Sequence, residues 1–168
     1  MRRSTFVGLA LVVPLAGCDT DSHASTTTLP PGANATVVRV VDGDTIDADF
    51  AGTTERVRLI GIDTPETKKP DSPVECFGPE ASARTAELLP PDTPIRVERD
   101  AEARDDYDRL LGYVYRSSDG LFVNLDLAVG GFARPLTIEP NSTFADRFVA
   151  AARTAQAHGT GLWGSCSG

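Results

Sequence analysis

From residue 36 onward the chain alternates short β-like bursts with turn residues. Thr36, Val37, Val38, Arg39, Val40 and Val41 are nearly all β-branched, and Ile46, Ala48 and Phe50 then alternate with Asp47 and Asp49. That pattern predicts two strands over 36–50, with Asp42-Gly43 as the hairpin turn between them. Ala51-Gly52 turns the chain again into a third strand over 55–62, where Val57, Leu59 and Gly61 share a face. Asp63-Thr64-Pro65 must end it. Residues 95–99 and 110–116 read as two further strands, the second closed by a turn at Ser118-Asp119-Gly120.

Helical signals fall between and after these strands. Residues 79–89 start with Pro79 and Glu80, carry Ala81, Ala86 and Leu88-Leu89, and stop at Pro90-Pro91. A short helix is expected over 123–132, with Gly130-Gly131 near its end. The last helix is expected to start around Asn141-Ser142-Thr143 and run to His158, with Phe144, Phe148, Ala151-Ala152 and Ala155 on one face. Asn141 fits a helix cap better than a glycosylation site. Trp163 fits a core plug for the tail. Five strands with these helices predict an α+β domain built on an OB-type β-barrel, with a small open sandwich as the other option.

The segment ahead of this domain has a different character. Arg2 and Arg3 precede an apolar stretch over 5–15, and Leu15-Ala16-Gly17-Cys18 follows. This resembles a bacterial lipoprotein signal peptide over 1–17, which implies lipid on the Cys18 thiol and an exported protein held at a membrane surface. The plainer reading is an ordinary secretory signal. Residues 18–35 have linker composition, with His23 as solvated spacer. No apolar run is long enough for a spanning helix in an integral membrane protein. With Cys18 set aside, Cys76 and Cys166 are left, and an oxidising compartment favours pairing them; two unpaired thiols are the other possibility.

Charge narrows the function. Sixteen Lys and Arg against 24 Asp and Glu give a net −8, which argues against a tight non-specific DNA-binding protein. Three segments nonetheless gather charge where strands end: Asp42 to Thr45, Arg58 to Glu66, and Tyr107 to Leu110. Each alone could be a turn, a strand terminator or a surface ion pair. Arg58 and Asp63 are five residues apart, so they can converge only if the chain bends near Gly61 or Asp63. Together, Asp44 and Asp63 would offer hard oxygen ligands for Ca²⁺, Glu66 a water-orienting carboxylate, and Arg58 and Arg109 forked donors for a phosphate.

These segments, with Phe77-Gly78-Pro79-Glu80-Ala81-Ser82 and Gly131-Phe132-Ala133-Arg134, resemble the staphylococcal nuclease family over roughly residues 36–164. The resemblance implies an OB-fold barrel with three helices and Ca²⁺-dependent hydrolysis of DNA and RNA to 3′-phosphate ends. By position it implies Asp44, Asp63 and the Thr64 carbonyl as calcium ligands and Glu66 as general base. Arg58 and Arg109 match its phosphate-binding arginines, and Tyr107 matches a substrate contact. The domain is expected to act as a monomer.

Some positions depart from the family's best-known member. Asp106 stands for a Lys, Asp108 for a Gly, and the basic loop is reduced to Lys68-Lys69. Where tyrosines near the nucleotide are expected, Thr137 and Glu139 are found. Weaker nucleotide binding follows, and a non-catalytic OB-fold binding lipoprotein is the competing function. A Ca²⁺-stabilised structural domain is a third.

Overall fold

The computed structural model describes residues 29–67 and 73–166. The expected signal peptide, Cys18, His23, Lys68 and Lys69 lie outside those residues. Among the described residues no helix is long and apolar enough to cross a membrane.

The described residues form seven strands and four helices in the order β1 (Ala35–Asp42), β2 (Thr45–Phe50), β3 (Thr53–Leu59), β4 (Gly61–Asp63), α1 (Gly78–Leu88), β5 (Pro94–Glu98), β6 (Leu110–Arg116), α2 (Val123–Val129), β7 (Arg134–Leu136), α3 (Ala145–Ala157) and the single turn α4 (Leu162–Ser165). Five strands close a barrel in the order β1-β2-β3-β6-β5. Ala35 of β1 pairs with Ile95 of β5 to shut it, and β3 and β6 run parallel while the other neighbours are antiparallel. This is the five-stranded OB-type barrel that the patterning predicts, with three helices of two turns or more, and closure excludes the open sandwich.

Inward-facing positions are the β-branched and aliphatic ones. Val37, Ile46, Ala48, Val57, Leu59, Ile95 and Val114 are each almost wholly buried. The alternation on β2 is not clean, because Thr45 and Asp47 are buried as well. Asp47 is held between Arg39 and Arg56, with contacts of 2.7 and 2.9 Å, and these guanidiniums keep its carboxyl below the ordinary range.

Several expectations fail for physical reasons. The third strand is not continuous through residue 62. Gly61 takes φ +83°, the chain leaves the barrel, and β4 pairs with β7 in a separate two-stranded sheet. The freed Ile60 carbonyl accepts from Asn124 Nδ2 at 2.9 Å, while Asn124 Oδ1 accepts from the Val114 amide. Asn141 does not cap α3, which begins at Ala145. Instead it bridges to the backbone of Glu102, accepting from its amide at 2.8 Å and donating to its carbonyl at 3.2 Å. Trp163 is only half-buried; Leu162, 1% exposed, is the residue that plugs the tail into the core. α2 also stops at Val129 rather than 132, and β7 carries no signal in the alternation because it is three residues long.

Candidate active site

Where β3 breaks, four parts of the chain enclose a cleft of about 490 Å³. They are the β1–β2 hairpin, residues 58–66, the loop between β5 and β6, and β7 with the residues after it. The hairpin arrives by close packing. A Cβ on Gly43 would stand 2.6 Å from Thr64 Oγ1, so only glycine lets the turn meet that segment. On its other side Thr85 of α1 donates to the Gly43 carbonyl at 2.6 Å.

Asp44 is thereby driven into the cleft floor, 6% exposed. Its Oδ2 accepts from the Thr64 amide at 2.9 Å and from the Thr64 hydroxyl at 3.0 Å, and its Oδ1 accepts from Thr45 Oγ1. Arg58, near the end of β3, is nearly as buried. Its Nη2 lies 3.2 Å from Asp44 Oδ2 and 3.0 Å from Asp63 Oδ1. Its Nη1 donates to the carbonyls of Leu59 and Ile62. The bend at Gly61 brings these three side chains together.

Glu66 follows rigid, buried Pro65 and lines the same cleft. Arg109 and Tyr107 approach from the β5–β6 loop. Asp105 organises that loop: its Oδ1 accepts from the Tyr107 and Arg109 amides, and its Oδ2 from Arg109 Nε at 2.7 Å. Burial pushes the Asp105 carboxyl up, but these hydrogen bonds and the charge of Arg109 outweigh it and hold it below the usual range. Arg104 clamps the loop to β3 through Glu55, at 2.9 and 3.0 Å. Tyr107 stands 82% exposed at the rim, its ring centroid 5.5 Å from the Arg109 guanidinium.

The cleft concentrates negative charge. Asp42, Asp44, Asp63 and Glu66 all line it. Burial, then repulsion from Asp44, pushes the Asp42 carboxyl up, with Glu66 adding to it. Burial likewise raises Asp63; Arg58 opposes this, and Asp44 and Glu75 reinforce it. A divalent cation would relieve that repulsion, and the donors are hard oxygens of the kind Ca²⁺ takes. Among the described residues no three His, Cys, Asp or Glu side chains form a ready-made cage, so a backbone carbonyl and water would have to complete such a site.

Each cleft residue singled out in the sequence thus lies in one place. Other assignments change. Neither Thr137 nor Glu139 lines the cleft; Leu136 and Ile138 do, 36% and 65% exposed. Leu136 stands opposite Gly61 in the pairing of β7 with β4. The sequence marks Asp42 as part of a charged turn and offers Asp105 as a surface partner of Arg109; the structure adds that Asp42 lines the cleft and that Asp105 holds Arg109 there. Away from the cleft, Cys76 and Cys166 form a disulfide with Cα atoms 5.8 Å apart. His158 contacts the Thr154 carbonyl at 2.8 Å at the end of α3.

Residues 56–165 match the model of the staphylococcal nuclease homologue family, a span that contains the paired residues of the barrel's parallel strands and both cleft arginines. The chain belongs to the staphylococcal nuclease family. It is 42% identical over 132 residues to the thermonuclease of Staphylococcus intermedius, covering 79% of this chain and 77% of that one. It is 39% identical over 127 residues to the thermonuclease of Staphylococcus hyicus, covering 76% and 73%. To endonuclease YncB of Bacillus subtilis it is 39% identical over 132 residues, covering 77% and 61%. Membership in the staphylococcal nuclease family agrees with the closed barrel and the position of the cleft at its rim.

Proposed function

We propose that this chain is a calcium-dependent nuclease that hydrolyses phosphodiester bonds of DNA, RNA or both and leaves 3′-phosphate ends. The observation that carries the reading is the convergence of Arg58 on Asp44 and Asp63 in a cleft that also holds Glu66 and Arg109. Packing a barrel requires none of these five side chains. The names of the thermonuclease and endonuclease relatives support the same reading.

In this reading Asp44, Asp63 and the Thr64 carbonyl would hold Ca²⁺. The bound ion would supply positive charge beside the scissile phosphate. Glu66 accepts the proton of the attacking water, acting as general base. Arg58, fixed by two carboxylates and two carbonyls, presents a rigid guanidinium to a phosphate oxygen. Arg109 is held by Asp105 through Nε, so its position is set before substrate arrives. Both arginines stabilise the charge that builds on the phosphate oxygens as the P–O5′ bond breaks, and the 5′ oxygen leaves as a hydroxyl with a proton from solvent water. Tyr107, with Leu136 and Ile138, offers the apolar surface on which a base can rest.

The proposal extends to place and state: a monomer, exported, and attached by lipid on Cys18 to the outer side of a bacterial membrane. Incubation of the purified chain with single-stranded DNA and RNA, in millimolar Ca²⁺ and in chelator, tests the activity. Mass spectrometry of the products then reads the ends. Calcium-dependent products with 3′-phosphates are expected, and cleavage equal in chelator would overturn the assignment of the metal.

A further inference from the structure

Glu66 and Glu75 are nine residues apart in sequence and adjacent in space. The two residues are clasped in both directions. The Glu66 amide donates to Glu75 Oε2 at 3.1 Å, and the Glu75 amide donates to the Glu66 carbonyl at 2.9 Å. Directly behind this clasp the packing is tight. A Cβ on Gly78 would stand 3.1 Å from the Pro65 carbonyl oxygen and 3.2 Å from that of Glu66. The Gly78 amide itself donates to the Glu75 carbonyl at 3.0 Å.

The next residue after Glu75 is Cys76, bonded to Cys166 across a separation of 90 residues. Cys166 directly follows α4. That turn is seated firmly, because Leu162 is 1% exposed and its amide donates to the Gly131 carbonyl at 2.8 Å. The approach there is so close that a Cβ on Gly161 would stand 2.3 Å from that same oxygen. The anchored tail therefore holds Cys76 from outside the loop.

We propose that Glu75 is a positioning residue for Glu66, and that the Cys76–Cys166 disulfide anchors it in that role. The inference rests on the reading of Glu66 as general base. Exposed hydrogen bonds such as the Glu66 amide's contact with Glu75 are weak constraints singly, since water competes for both partners. Phe77, between the disulfide and α1, also sits at φ 70°, an uncommon and strained conformation for a bulky residue that needs support from its surroundings. A covalent tie to a tail anchored by buried Leu162 supplies that hold. A base works only when kept near its productive geometry, and displacement by an ångström can cost about a hundredfold in rate.

Steady-state kinetics on single-stranded DNA with Ca²⁺ test this in four variants: Glu75→Ala, Glu75→Gln, the double Cys76→Ser/Cys166→Ser, and all of Glu75→Ala, Cys76→Ser and Cys166→Ser. Glu75→Ala is expected to lower kcat about tenfold or more with KM little changed. Glu75→Gln keeps an oxygen that accepts the Glu66 amide, so it recovers most of the loss. The double cysteine variant should lose kcat likewise, and adding Glu75→Ala to it should cost little more, because the two act through one clasp. A kcat at the parent value in the cysteine variant, with only its melting temperature lowered, would overturn the anchoring role. A Gln variant as slow as the Ala variant would overturn the hydrogen bond as the cause. Amide exchange at Glu66 reads the clasp without any turnover: it should be slow in the parent and Glu75→Gln and faster in Glu75→Ala. If the parent does not cleave nucleic acid, the functional reading fails while that exchange pattern still decides whether the clasp exists.

Discussion

Arg58 Nη2 lies 3.0 Å from Asp63 Oδ1, although the two residues would face opposite sides of an unbroken strand. Gly61 between them makes the contact, by taking a backbone conformation at φ +83° and leaving room for the Phe148 ring. Gly61→Ala would place its Cβ 2.2 Å from that ring and in a disfavoured backbone region. Overpacking of this kind costs about 1 to 3 kcal/mol. The variant should show a lower urea midpoint and lose activity by more than its stability explains, since the bend also brings Asp63 to Arg58.

Asp44 serves two neighbours at once, Thr64 through hydrogen bonds and Arg58 through charge. Asp44→Asn keeps an acceptor for Thr64 and removes the charge. It should fold, bind Ca²⁺ weakly, and lose the rise in melting temperature that Ca²⁺ gives the parent. Calcium titrations followed by differential scanning calorimetry check this, and an unchanged calcium-induced rise would remove Asp44 from the ligand set.

Asp106 and Asp108 flank exposed Tyr107 at the cleft rim and face any incoming polyanion with like charge. Asp108 also sits at φ 62°, a conformation that Asn tolerates well. Asp106→Lys with Asp108→Asn should lower KM for single-stranded DNA several-fold at low salt. Its log(kcat/KM) should also fall more steeply with log salt, by about 0.7 for each further phosphate that the new charge neutralises. Rates measured between low and physiological ionic strength give both values.

Asp100 ties the β5–β6 loop to the start of α3. Burial pushes its carboxyl up, but hydrogen bonds from the Thr143 amide and hydroxyl and from Tyr113 Oη outweigh this and hold it below the ordinary range. Because the folded value is depressed, its contribution is present above the unfolded value of about 3.9 and is lost as pH falls through the folded one. Asp100→Asn should destabilise the protein at pH 7 by about 1 to 3 kcal/mol. Its stability should also fall less between pH 4 and 2 than the parent's, as read by urea unfolding at each pH.

Much of this molecule could be read from its residues, and the exceptions share a cause. Barrel strands announced themselves because burying one face forces alternation, as with Ile95 and Val97. The hairpin at Asp42-Gly43 and the Pro79 start of α1 carry local chemistry that needs no partner. What was hidden depends on contacts distant in sequence. Asn141 looks like a cap until Glu102, 39 residues earlier, is seen to take both its amide atoms. Leu136 and Ile138 reach the cleft because β7 pairs with β4, a register that three residues cannot advertise. The site was legible as residue types, while its geometry waited on one glycine bend.

The most direct test of the account is the rate of cleavage of single-stranded DNA in saturating Ca²⁺ by the parent chain and by Glu66→Gln. Loss of a positioned general base costs typically 10²–10⁴-fold. The account predicts a fall of that order with Ca²⁺ binding and melting temperature retained. Equal rates in the two proteins would contradict it, and would leave the cleft as a binding surface in which Glu66 moves no proton.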